Sequence, residues 1–77
     1  MIKVTIGTNT NRKSITLNPD TTIREALEAN NIDYSTGGIH LDGLAVAGAD
    51  LDKSFAEFGV EESCYLVSVV KADGGLN

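Results

Sequence analysis

Apolar and polar positions alternate from the first residues of the chain. Ile2, Val4 and Ile6 fall on one side, Lys3 and Thr5 on the other, the period-two pattern of a half-buried strand. Gly7-Thr8-Asn9-Thr10-Asn11 interrupts it with residues that tolerate the positive φ of tight turns. Alternation resumes over Lys13–Leu17 and returns Ile15 and Leu17 to the apolar side of the first strand. Two such runs around a short polar turn predict a hairpin.

The period changes after Pro19, which cannot donate to a strand ladder. Thr22-Ile23-Arg24-Glu25 has the spacing of a capping box. Ile23, Ala26, Leu27 and Asn30 then recur at helical intervals, predicting a short helix of about two turns with one narrow apolar face. Asn30-Asn31 stops it with residues that accept a left-handed conformation. Ile32 and Tyr34 are expected to pack under the exit loop, and Ser35–Gly38 to form a flexible connection. Ile39–Val46 reads either as two brief strands around Asp42-Gly43, the preferred reading because Asp-Gly suits a type I′ turn, or as one strand running into a loop. Ala47–Asp50 reads as a turn. Ser54–Val60 reads as a short, 3₁₀-like helical turn with a glycine stop at Gly59.

The last strand is the most apolar stretch: Cys64-Tyr65-Leu66-Val67-Ser68-Val69-Val70. Its composition places it between other strands, and it is expected to lie parallel to the first. Strands separated by a single helix indicate an α+β fold, with the helix covering one face of a mixed sheet of four to five strands. The expected division is a folded unit over 1–71 and a flexible tail over 72–77.

Composition narrows the function classes. The 77 residues suffice for one small core, built mainly from Ile, Leu and Val because only four residues are aromatic. Eleven acids against six bases leave a net charge of −5, which argues against nucleic acid or an anionic membrane as partner. Basic protein surfaces are suitable partners, and mere solubility explains the charge equally well. One cysteine rules out an intrachain disulfide, and no Cys/His spacing fits zinc. The start Met1–Ile6 has neither a basic leader nor a long apolar run, so a reducing, cytoplasmic setting is expected, without a cofactor. Cys64 has no nearby base to activate it and reads as a small strand residue; His40 reads as an ordinary strand histidine. Asp50, Asp52, Glu57, Glu61 and Glu62 read as a solvated acidic stretch. No pair of carboxylates is placed for hydrolysis, and Gly37-Gly38 lacks the lysine of a phosphate loop.

Taken in order, these elements resemble the ubiquitin-like β-grasp family over nearly the whole chain. The resemblance is carried by Ile15-Thr16-Leu17 with Pro19-Asp20-Thr21-Thr22-Ile23, by Leu51–Val60 before the last strand, and by the diglycine Gly74-Gly75. It implies that Gly75 carries a carboxylate which a partner enzyme adenylates and converts to a thioester or thiocarboxylate, while Gly74 gives clearance in a narrow channel. The alternative is that the pair is only the frayed end of the last strand. The chain departs from ubiquitin in its shorter helix, in Lys71-Ala72-Asp73 where ubiquitin is arginine-rich, and in Leu76-Asn77 beyond the diglycine.

The resemblance also suggests that Tyr65, Val67 and Val69 point inward. Leu66 and Val70 would then face outward, with Ile39 or Leu41 extending them into a partner-docking patch; a one-residue slip would invert these assignments. Three functions follow: a protein modifier released by a processing protease and used by an activating enzyme, a sulfur carrier ending in a thiocarboxylate, or a non-covalent protein-interaction module. In each case the protein is expected to be a monomer with protein partners and no enzymatic activity of its own.

Overall fold

The alternating start of the chain folds as expected. In the computed structural model, which describes residues 1–8, 10–34 and 38–69, strand β1 (Ile2–Thr8) pairs antiparallel with β2 (Arg12–Leu17), Val4 opposite Ile15 and Ile2 opposite Leu17. The strand continues through Gly7 and Thr8, so the turn is tighter than the polar run suggests. Thr8 N–H donates to the Asn11 carbonyl at 2.8 Å. A Cβ on Gly7 would overlap the Asn11 carbonyl oxygen and lie 2.7 Å from Arg12 Cα. Only glycine permits that approach.

Helix α1 (Ile23–Ala29) begins with the capping box read from the sequence. The Thr22 hydroxyl accepts from the Glu25 amide at 3.1 Å, and the Glu25 carboxylate accepts from the Thr22 amide at 3.0 Å. Ile23, Ala26 and Leu27 are buried against the sheet. At the other end Asn30 turns its side-chain amide onto the Ala26 carbonyl, and Asn31 takes the left-handed φ of 57° that ends the helix.

Strands β3 (Gly38–Leu41) and β4 (Leu44–Val46) form the small hairpin around Asp42-Gly43. Positive φ at both residues, 51° and 86°, gives the type I′ geometry expected of Asp-Gly. The next segment differs from the sequence reading. The 3₁₀ helix lies at Gly48–Asp52, where only a turn was expected, while Ser54 bridges to Thr22 and residues 55–59 form successive turns without a regular helix. Ser54 and Glu57 nevertheless make a capping-box exchange. The Ser54 hydroxyl accepts from the Glu57 amide at 3.2 Å, while the Glu57 carboxylate accepts from the Ser54 amide at 3.1 Å.

Strand β5 (Ser63–Val69) completes a five-stranded mixed sheet in the order β2-β1-β5-β3-β4. It lies at the centre, parallel to β1 and antiparallel to β3. The core sits between the sheet and α1, with Phe55 and Leu51 closing it from the loop side.

Candidate functional site

The register of β5 decides which surface the protein offers. Cys64, Leu66 and Ser68 point into the core; Tyr65, Val67 and Val69 point out. Leu66 is fully buried, opposite Ile6 on β1 and Leu41 on β3. Ile39 and Leu41 are also core residues, 4% and 5% exposed. The outward patch of Leu66, Ile39 and Leu41 is therefore corrected: all three are inside. Val70, its fourth member, lies outside the described residues, as do Gly74 and Gly75.

The physical reason is twofold. Both alternating sets of β5 are mostly apolar, so strand pattern alone does not orient it. Moreover, the polar residue that made one set look exposed is satisfied within the fold. Ser68 is fully buried and donates its hydroxyl to the Asp33 carbonyl at 2.9 Å, which removes the cost of burying it. A signal was present on the neighbouring strand, where polar His40 alternates with Ile39 and Leu41 and assigns those two to the core side.

The outward face has its own character. Along β5 it presents Tyr65, 56% exposed, and Val69, 37% exposed, on either side of the more enclosed Val67. His40 pairs in register with Val67, and Gly7 flanks it on the other side. Arg12, His40, Tyr65, Val67 and Val69 line a shallow, mainly apolar depression of about 490 Å³, whose end is formed by the Asp42-Gly43 turn. The His40 ring lies against Gly38, where an added Cβ would stand 3.2 Å from Cε1; its Nδ1 is enclosed and has no hydrogen-bond partner among the described residues.

Burial pushes the Cys64 thiol up to about 11, with the charge of Asp42 adding to the effect, so it is a poor nucleophile at neutral pH. Among the described residues no group of His, Cys, Asp or Glu could hold a metal ion, and no helix is long and apolar enough to cross a membrane.

The acidic stretch is partly structural. Arg24 donates from Nε to Asp52 at 2.8 Å and lies over the Tyr34 ring at 5.5 Å, while the Tyr34 hydroxyl donates to Glu28 at 2.6 Å. These contacts tie α1 to the 3₁₀ helix and the exit loop. The Arg24 partner holds the Asp52 carboxyl below its ordinary value. Asp50 pairs with Lys53 at 3.2 Å.

Comparison with solved structures identifies the architecture. A ubiquitin-like domain of an Arabidopsis thaliana protein superposes with a TM-score of 0.72 at 17% identity, over 94% of this chain and 79% of that one. A ubiquitin-like protein from the hyperthermophilic archaeon Caldiarchaeum subterraneum gives 0.55 at 14% identity, over 95% of this chain and all of that one. No known family profile and no curated protein sequence matches the chain. The fold is the ubiquitin-like β-grasp.

Proposed function

We propose that this ubiquitin-like domain is a protein modifier that acts through Gly74-Gly75 once Leu76-Asn77 have been removed. The observation that supports the reading is the position of β5. It is the central strand, both its edges are occupied, and it ends at Val69 just ahead of the segment that carries the diglycine. Six residue steps separate Val69 from Gly75, an extended reach of at most about 20 Å. That suits a carboxylate presented to a partner's active site while the domain docks outside it.

The chemistry belongs to the partner. By analogy with ubiquitin-like modifiers, the Gly75 carboxylate attacks the α-phosphate of ATP and displaces pyrophosphate. An enzyme thiol then takes the acyl group and releases AMP. A target lysine amine finally displaces that thiol to form an amide. The domain supplies no acid, base or nucleophile, and is not an enzyme in its own right. The outward depression around Val67 adjoins the end of β5, and the occupant we assign to it is the activating enzyme that receives the tail. The protein acts in the cytoplasm.

A sulfur carrier would use the same carboxylate as a thiocarboxylate, but such carriers are generally made with the diglycine already terminal. A non-covalent module is the second reading, favoured by the exposure of Tyr65 and Val69 on the open sheet face. Replacing Gly74 and Gly75 with alanine in the native host separates them. A modifier loses its higher-mass adducts, whereas an interaction module keeps its binding.

A further inference from the structure

The chain is acidic overall, with a net charge of −5, yet the open face of its sheet is not. Arg24 and Lys53 are held within the fold by Asp52 and Asp50. Alternation along the strands puts Lys3 and Arg12 on the open face with Thr5, Ser14, Tyr65 and Val67. Among the described residues no strand position of that face is acidic. Asp42, in the turn at its far end, already gives its carboxylate to the Tyr65 amide.

Arg12 is set into the depression around Val67. It stands level with Gly7, and Gly7 stands level with Val67. Two strand spacings, about 10 Å, separate Arg12 from Val67, and both line the same space of about 490 Å³. Gly7 between them has no side chain to divide it. The guanidinium is also oriented, because its Nε donates to the Thr8 carbonyl at 3.2 Å. Its two Nη groups have no partner among the described residues. A guanidinium held in this way is an open fork, which a carboxylate can fill with two parallel hydrogen bonds.

We propose that Arg12 is the residue by which the activating enzyme selects this domain: it receives a carboxylate of that enzyme while an apolar side chain beside the carboxylate rests on Val67. This rests on the reading that the enzyme takes the tail. The four residues between Val69 and Gly74 include one base and one acid, Lys71 and Asp73, so that segment has no net charge to offer. Arg12 lies in the row of Val67, two residues before β5 ends at Val69. A fixed positive charge thus stands near the point where the tail departs. The contact is open to water, and it steers and selects the partner more than it tightens the complex.

The test is thioester formation by the full chain, labelled at Met1, in an extract of its own cells supplied with ATP. The parent, Arg12→Ala and Arg12→Lys chains are each checked for native amide dispersion by NMR and then titrated into the extract. The parent is expected to give an ATP-dependent adduct that thiol reagents release. Arg12→Ala is expected to need about tenfold more protein for half-saturation and to reach the same maximum, with Arg12→Lys in between. Added salt is expected to weaken the parent more than Arg12→Ala, a difference that a merely structural contact with Thr8 would not produce. Equal half-saturation in the parent and Arg12→Ala, or a loss confined to the maximum, overturns the role of Arg12 and leaves the reading of the tail standing. A parent that forms no ATP-dependent adduct overturns that reading, and the role of Arg12 with it.

Discussion

Asp42 and Tyr65 exchange two hydrogen bonds across the β3–β5 boundary. The Asp42 amide donates to the Tyr65 carbonyl at 2.8 Å, and the Asp42 carboxylate accepts from the Tyr65 amide at 2.9 Å. A side chain thus stands in for the backbone carbonyl that the ladder lacks once β3 turns into β4. Asp42 does this from a left-handed conformation, which Asp and Asn tolerate better than other residues with a Cβ. The contact holds β5 in the register that buries Leu66 and exposes Tyr65.

Asp42→Ala is expected to destabilise the domain by about 1–2 kcal/mol, since it orphans the Tyr65 amide and strains the turn. Asp42→Asn keeps an acceptor and the tolerated conformation, and is expected to cost less. Urea unfolding of the two variants measures the difference.

The orientation of β5 gives a paired test. Leu66→Ala is expected to cost roughly 2–5 kcal/mol as a core truncation. Tyr65→Ser, on the open face, is expected to change stability far less. Equal costs, or the reverse order, would contradict the inward placement of Leu66.

Gly7→Ala drives a Cβ into the Asn11 carbonyl of the first hairpin. The backbone must shift, and the expected loss is about 1–3 kcal/mol. Urea unfolding reads the loss, and the amide shifts of Thr8 and Arg12 report the moved turn.

Cys64 sets an alkaline limit. Its folded-state value of about 11 lies above the ordinary 9.0. As pH rises past 9.0 the unfolded chain ionises its thiol while the folded chain keeps the proton. Stability is therefore expected to fall between those values, by at most about 3 kcal/mol in all. Cys64→Ala is expected to flatten that slope. At neutral pH the native thiol is expected to react with iodoacetamide much more slowly than the unfolded one.

Asp52 acts in the opposite range. Arg24 lowers its folded value below the ordinary 3.8, so the stabilisation is complete above 3.8 and is lost as pH falls through the lower folded value. Asp52 is exposed and Arg24 half-buried, and the effect is expected to shrink in high salt. Acid titrations of the parent and Asp52→Asn proteins, compared by circular dichroism, isolate it.

Much of the fold was legible because local chemistry was unambiguous. Thr22 and Glu25 fit only a helix start, Asn30-Asn31 its end, and Asp42-Gly43 a two-residue hairpin. The 3₁₀ helix at Gly48–Asp52 was not legible. Its polar, glycine-containing sequence reads as a turn, and its anchoring comes from Leu51 reaching the core and from Asp52 meeting Arg24, which are contacts between distant parts of the chain. The two sides of β5 were read the wrong way round: Leu66 lies in the core, and Tyr65 and Val69 face out. Deciding the side required knowing that Ser68 finds the Asp33 carbonyl 35 residues away in sequence and that Asp42 fixes the Tyr65 amide.

Intact mass spectrometry of the protein from its own cells is the direct test of the role proposed for the C-terminal glycines. The expected result is a free form that ends at Gly75, accompanied by species with Gly75 joined to a lysine amine. A protein found only with Leu76-Asn77 still attached, and without adducts, would contradict it.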